Sequence, residues 1–193
     1  MIHLVLLGPP GAGKGTQAER LAAHYGLKHL STGAMFRHHI GGQTRLGGLA
    51  QGYMDKGRLV PDGLTIDMLE EAVSRHADVK GFVFDGFPRT LAQAKALDDF
   101  LDQSGASILK ALSLEVADAD LLVRLRKRGR EGARMDDSDE RVIRDRIAAY
   151  HEQTAPLAGY YRGRDKLESI DGLGPIDAIS ERLIRIVDRA LPC

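Results

Sequence analysis

At 193 residues, with 43% hydrophobic and 28% charged side chains, the chain can bury one sizeable core and has an ordinary globular composition. Twenty-seven basic residues balance twenty-seven acidic ones, tryptophan is absent and aromatics make up 5%, so the basic field and stacking surface of a nucleic-acid binder are both missing. One cysteine, Cys193, excludes an internal disulfide and a cysteine-built zinc site. With no long apolar run and an early Gly-Pro-Pro-Gly interruption, a soluble cytoplasmic protein without membrane contact is expected.

Leu4 to Leu7 is an apolar run of strand length, closed by Gly8. A loop containing Gly8, Gly11 and Gly13 follows, then Lys14 and a helical pattern from Thr16 to Tyr25. Strand, glycine loop with lysine, and helix are the parts of a phosphate-binding loop. Glycines let backbone N–H groups turn inward, the new helix aims its unpaired N–H groups at the same point, and Lys14 adds a compact positive charge. Gly15 stands where Ser or Thr usually follows the lysine, so a hydroxyl contact to magnesium falls to Thr16. The competing reading is an ordinary glycine-rich turn.

Leu27 to Leu30 is the next strand candidate, ended by Ser31-Thr32-Gly33. Residues 34–75 read as helical pieces broken at Gly41-Gly42, Gly47-Gly48, Gly57 and Pro61, and lacking a strand they should stand off from the sheet. Gly81 to Gly86 is an apolar strand carrying Asp85, followed by a helix from Thr90 to Leu101. Leu112, Leu114 and Val116 alternate with polar residues as a further strand. Asp118 to Arg128 is helical and Gly129 to Gly132 should break it. A longer helix reaches about Tyr150, with an interruption near Pro156, and Lys166 to Ile170 is the last strand. Ile176, Ile179, Leu183, Ile186 and Ala190 form one apolar stripe on the final helix. Such alternation predicts an α/β fold, a parallel sheet with helices on both faces and ligands beyond the carboxyl ends of the strands. Gly8, Thr32, Asp85 and Glu115 should therefore converge on one crevice.

Asp85 ends its strand where a nucleotide fold holds a metal carboxylate, although Asp before Gly86 also suits a plain turn. Residues 124–134 carry six cations and one acid. They could be a solvated helix face or a nucleic-acid patch, but the preferred reading is a cationic flap that counters charge on a migrating phosphoryl group. Arg89 and Arg37 lie in the other half, as bidentate contacts to an anionic acceptor would require. No side chain stands out as a general base, and a phosphate acceptor needs none, because its second pKa is about 6. The seven histidines show no paired spacing with carboxylates and read as surface or packing residues.

Gly8 to Gln17, Ser31-Thr32-Gly33, Gly57 to Asp62, Asp85 to Thr90, Lys127-Arg128-Gly129, Arg134 with Asp136-Asp137, and Thr154 to Leu157 together resemble the adenylate kinase family in its short-lid form. The resemblance implies the P-loop nucleoside monophosphate kinase fold, with a central five-stranded parallel sheet. It implies one domain over residues 1–193, with a mobile AMP-binding excursion at 32–61 and a short lid at 124–135. The implied reaction is reversible transfer of the γ-phosphoryl group of MgATP to AMP, giving two ADP, in a monomer without zinc.

The same resemblance carries roles onto individual positions. Gly11, Ala12, Gly13, Lys14, Gly15, Thr16, Arg124, Arg128 and Gly174 would hold ATP. Thr32, Arg37, Gly57, Arg58, Leu59, Val60, Gly86, Arg89, Gln93, Arg134 and Arg146 would hold AMP. Lys14, Arg89, Arg128, Arg134 and Arg146 would serve the transfer, magnesium would sit through water near Asp85 and Thr16, and Asp136 with Asp137 would latch the lid. Two departures are visible. Ala34 stands where the family usually has Asp, and the interval from Asp136 to Arg146 is one residue longer than usual, which could turn Arg146 away. A kinase preferring UMP or CMP is the nearest alternative, disfavoured by Thr32 and Thr90. A nucleotide-binding regulator without chemistry is the other.

Overall fold

In a computed structural model of the chain, the described residues are 1–76, 78–131 and 137–191. Strands β1 (Ile2–Leu7), β2 (Lys28–Ser31), β3 (Gly81–Asp85), β4 (Lys110–Glu115) and β5 (Leu167–Asp171) form one five-stranded sheet in the order β2-β3-β1-β4-β5. Every pairing is parallel. The middle strand is buried from His3 to Leu7, as its near-continuous apolar run requires of a strand covered on both faces.

Leu4, Leu6, Val83, Leu112 and Leu114 face one helical layer. That layer contains α1 (Lys14–Tyr25), α6 (Asp118–Arg130), α7 (Glu140–Ala149) and α9 (Ile176–Ala190), through residues such as Leu21, Leu125, Ile143 and Leu183. Val5, Leu7, Phe82 and Phe84 face the other layer. There, Leu69 of α4 (Asp62–Ser74), Leu97 of α5 (Leu91–Asp102) and Tyr161 of α8 (Leu157–Arg162) close the core. From β1 the chain goes to the edge strand β2, returns inward to β3 and then crosses to β4 on the other side of β1. This topological switch opens a crevice at the carboxyl end of β1.

Helices α2 (Thr32–Gly41) and α3 (Arg45–Met54) and the start of α4 bury a separate cluster of Phe36, Ala50, Val60 and Met68, so the first part of the segment between β2 and β3 has a core apart from the sheet, whereas α4, expected to stand off with it, packs on the sheet through Leu69. One expected break is absent. Gly47 and Gly48 lie inside α3, which Thr44 caps by accepting the Gly47 N–H at 3.0 Å. A Cβ at Gly47 would fall 2.1 Å from the His39 carbonyl oxygen, so close helix packing, not termination, accounts for that glycine. Helix α6 ends at Arg130, inside the expected break, and a close-approach demand also acts on Gly129 in its last turn: a Cβ would stand 2.1 Å from the carbonyl oxygen of Asp137.

A π-helical turn, Tyr150–Thr154, follows α7 and precedes Pro156. On α9 the buried stripe holds Ile179, Ser180, Leu183, Ile186 and Val187, while Ile176 is 51% exposed. Ile176 opens the helix beyond the sheet's cover, and its carbonyl instead accepts the Gln17 amide at 3.1 Å. Among the described residues no helix is long and apolar enough to cross a membrane.

Candidate active site

The loop after β1 turns through Gly11 (φ 86°) and Gly13 (φ 95°), left-handed conformations that residues with a Cβ rarely adopt, and delivers the chain into α1. Lys14 is half-buried and donates to the carbonyl oxygens of Gly8 (2.7 Å) and Pro9 (2.9 Å). Burial, together with the charges of Arg89, Arg146 and Arg128 and against the pull of Asp85, lowers its pKa to about 8. Those residues line the same cleft. Burial disfavours ionisation of Asp85, but His29, Lys14 and Arg89 outweigh it and hold the carboxyl below its ordinary value. A site with four cations converging around one carboxylate attracts polyanions.

The acceptor side is built by the parallel register that sets Ser31 and Leu6 beside Asp85. Ser31 caps α2 by accepting the Ala34 N–H at 3.4 Å, and Arg37 lies one turn on with its guanidinium over Gly33. Arg89 donates from Nε to the Gly86 carbonyl (2.8 Å), which also accepts from the buried Thr32 hydroxyl (2.7 Å). Gly57, Arg58 and Leu59 border the cleft, whereas Val60 is buried in the core of the excursion. Gly57 (φ 66°) packs against α7, where a Cβ would meet the Val142 carbonyl oxygen at 2.9 Å. The excursion therefore touches the opposite wall. Gln93 is buried beside the backbone of Arg89.

On the other side, Arg124 reaches the carbonyls of Gly11 (3.5 Å) and Gly172 (3.2 Å). Asp137, whose side chain is fully buried, pairs one oxygen with Arg128 and the other with Arg146. Helix α7 starts after the Asp139 cap, and Arg146 on it lines the cleft. Gly13, Gly15 and Thr16 line the cleft, while Ala12 is buried behind the loop. Gly174 (φ 115°) is not part of the lining and sits near Arg182. Arg134 and Asp136 lie outside the described residues.

The donor set suits a hydrated divalent ion delivered with phosphates. A Cβ at Gly15 would lie 3.6 Å from Asp85 Oδ2, so the carboxylate stands against the first turn of α1, which also carries Thr16. One hard oxygen ligand or two, with water completing the shell, is what magnesium accepts. Ala34 contributes no carboxylate to this arrangement.

Four residues were given no role of their own in the sequence reading. His29 Nε2 lies 3.6 Å from Asp85 Oδ2, through strand register that no spacing along the chain reveals. His151 similarly meets Asp118 at 3.0 Å. Thr154 donates to the Arg89 carbonyl at 2.9 Å, and Asp62 bonds both Thr90 and Gln93. These pairings are long-range and leave only weak traces in sequence.

The adenylate kinase family model matches residues 6–166. An adenylate kinase of Flavobacterium psychrophilum is 50% identical over 188 residues, covering 97% of this chain and 99% of the relative. That of Bacteroides thetaiotaomicron is 45% identical over 189 residues (98% and 100%), and that of Porphyromonas gingivalis 42% over 189 residues (98% and 97%).

Proposed function

Because this chain belongs to the adenylate kinase family and is an enzyme that transfers a phosphoryl group from ATP to AMP, we propose that its cleft holds the two nucleotides end to end, phosphates meeting between Lys14 and Arg89. One observation carries the reading: Lys14, Arg89, Arg128 and Arg146 line a single cleft together with Asp85.

In this reading ATP lies along the loop from Gly11 to Thr16, with its base against Arg124. AMP sits between the excursion and the start of α5, its phosphate held by Arg37 and Arg89 and its base near Thr32, Gly86, Val60 and Gln93. Lys14 exchanges the Gly8 and Pro9 carbonyls for the terminal phosphoryl oxygens of ATP. Arg128 and Arg146 exchange Asp137 for the phosphates, and Arg134 joins them. Phosphoryl transfer has little covalent chemistry for the protein to do, so positioning and charge neutralisation suffice. The attacking oxygen of AMP is already ionised near neutrality, which removes the need for a base. Asp85 and Thr16 would hold magnesium through its waters, and when bound the ion neutralises charge on the β- and γ-phosphates. Residues 32–61 and 124–135 are the parts that open and close, in a cytoplasmic monomer.

The test is ADP formation from ATP and AMP with and without magnesium, repeated with UMP and CMP. Fast, magnesium-dependent turnover with AMP alone supports the reading. Simultaneous binding of both nucleotides must also be seen, and must weaken when Lys14 is replaced by Ala. Sedimentation at micromolar concentration checks the monomer.

A further inference from the structure

A half-buried polar network centred on the buried Gln93 joins the start of α4 to the start of α5. Asp62, the first residue of α4, accepts from the Gln93 amide nitrogen through Oδ1 (2.7 Å) and from the Thr90 hydroxyl through Oδ2 (3.0 Å). The Gln93 amide oxygen accepts the backbone N–H of Arg89 (2.8 Å), and the Thr90 oxygen in turn accepts the backbone N–H of Gln93 (3.2 Å). Gln93 is 1% exposed.

A carboxamide has two N–H donors and two acceptor lone pairs, and turning it over exchanges the two ends. Here the exchange is blocked on both sides. An ionised carboxylate can only accept and a backbone N–H can only donate, so the reversed amide would set oxygen against oxygen and N–H against N–H. With Gln93 itself 1% exposed, water has little room at the amide to repair either mismatch. Thr90 holds the second carboxylate oxygen, so Asp62 cannot swing away to relieve the clash. One N–H and one lone pair of Gln93 remain uncommitted in these bonds, in a fixed sense.

That sense distinguishes purines. Adenine offers a 6-amino donor beside an unprotonated N1, whereas a 6-oxo purine offers an acceptor beside an N1–H. A glutamine amide pairs bidentately with either pattern, but only with opposite orientations for a given placement of the ring. We propose that Asp62 is a positioning residue that sets the base preference of the acceptor site by fixing the orientation of the Gln93 carboxamide. The inference rests on the reading above, in which Gln93 borders the base of AMP. A mere brace between α4 and α5 would support AMP and IMP equally, since the two differ only at the 6-position and N1.

The experiment compares kcat and KM for AMP and IMP as acceptors in the unaltered enzyme, Asp62→Asn and Gln93→Ala, with thermal melting of each. An asparagine can present either end of its own amide and so permits Gln93 to turn. Asp62→Asn should narrow the AMP-to-IMP ratio of kcat/KM by roughly tenfold, through KM for the acceptor, with KM for MgATP unchanged. Should the ratio survive Asp62→Asn yet collapse in Gln93→Ala, the inference is overturned and the placement of Gln93 stands. An unchanged ratio in Gln93→Ala overturns that placement and the inference with it. If Asp62→Asn does not fold, Thr90→Val decides, a narrowed ratio supporting the role of Asp62 and an unchanged one overturning it.

Discussion

Arg89 holds its place through its own Nε bond to Gly86, the Thr154 hydroxyl on its carbonyl and the Gln93 oxygen on its N–H. Its backbone is therefore fixed independently of its charge, and Arg89→Ala should spare the fold while lowering kcat more than ~100-fold, the cost of deleting one charge-stabilising donor. Steady-state kinetics alongside a melting curve checks both halves of that expectation. Lys14 gives a pH signature. With its pKa lowered to about 8, chiefly by burial, phosphate binding around that pH should be accompanied by proton uptake. Affinity for ATP should thus fall as pH rises through about 8, measurable by calorimetry in buffers of different ionisation enthalpy.

His3 gives the opposite kind of signature, in stability. Both ring nitrogens are buried without a hydrogen-bond partner among the described residues, and the ring stacks on Phe82 at 5.7 Å. Burial, helped by the amino-terminal charge, lowers its pKa to about 4 from 6.5. Between those values the unfolded chain binds the proton and the folded one does not, so stability rises with pH from about 4 to 6.5 and is lost on acidification. The loss approaches 3 kcal/mol at about 1.4 kcal/mol per pKa unit. His3→Phe should flatten that part of a denaturation series against pH.

Among the elements, α6 shows what sequence reading captures and where it stops. Its apolar positions Leu121 and Leu125 and its cationic last turn are legible as a helix, but Gly129 reads equally as a break or as a contact. Only the approach of the Asp137 backbone decides. Strand β1 and the glycine loop were legible because the chemistry is local, a run of apolar residues meeting glycines and a lysine. The His29–Asp85 and Asp62–Gln93 pairs were not, because each joins separate elements through tertiary placement. Helix propensity alone would make Gly129→Ala stabilising by about 1 kcal/mol. The contact predicts the reverse, a loss of about 1–3 kcal/mol from overpacking, together with a drop in kcat as Asp137 shifts under Arg128 and Arg146. Chemical denaturation separates the two signs.

At the scale of the whole molecule, the sheet sets all its functional strand ends on one edge, and the excursion crosses that edge to touch α7 at Gly57. Two helical layers cover the strands, while the excursion has a small separate cluster of its own around Phe36 and Met68. Filling the crevice with an anion should couple these parts. Inorganic tripolyphosphate, which has no base or ribose, should raise the melting temperature, and the gain should shrink as salt is added.

Asp137 lies between two guanidinium groups, both of its oxygens engaged. On the proposed reading an incoming phosphate would evict a tenant already inside the wall, and a departing product would leave that tenant free to return. The protein would then carry its own replacement anion, and a tight grip on a triphosphate would not oblige slow discharge of what the reaction makes.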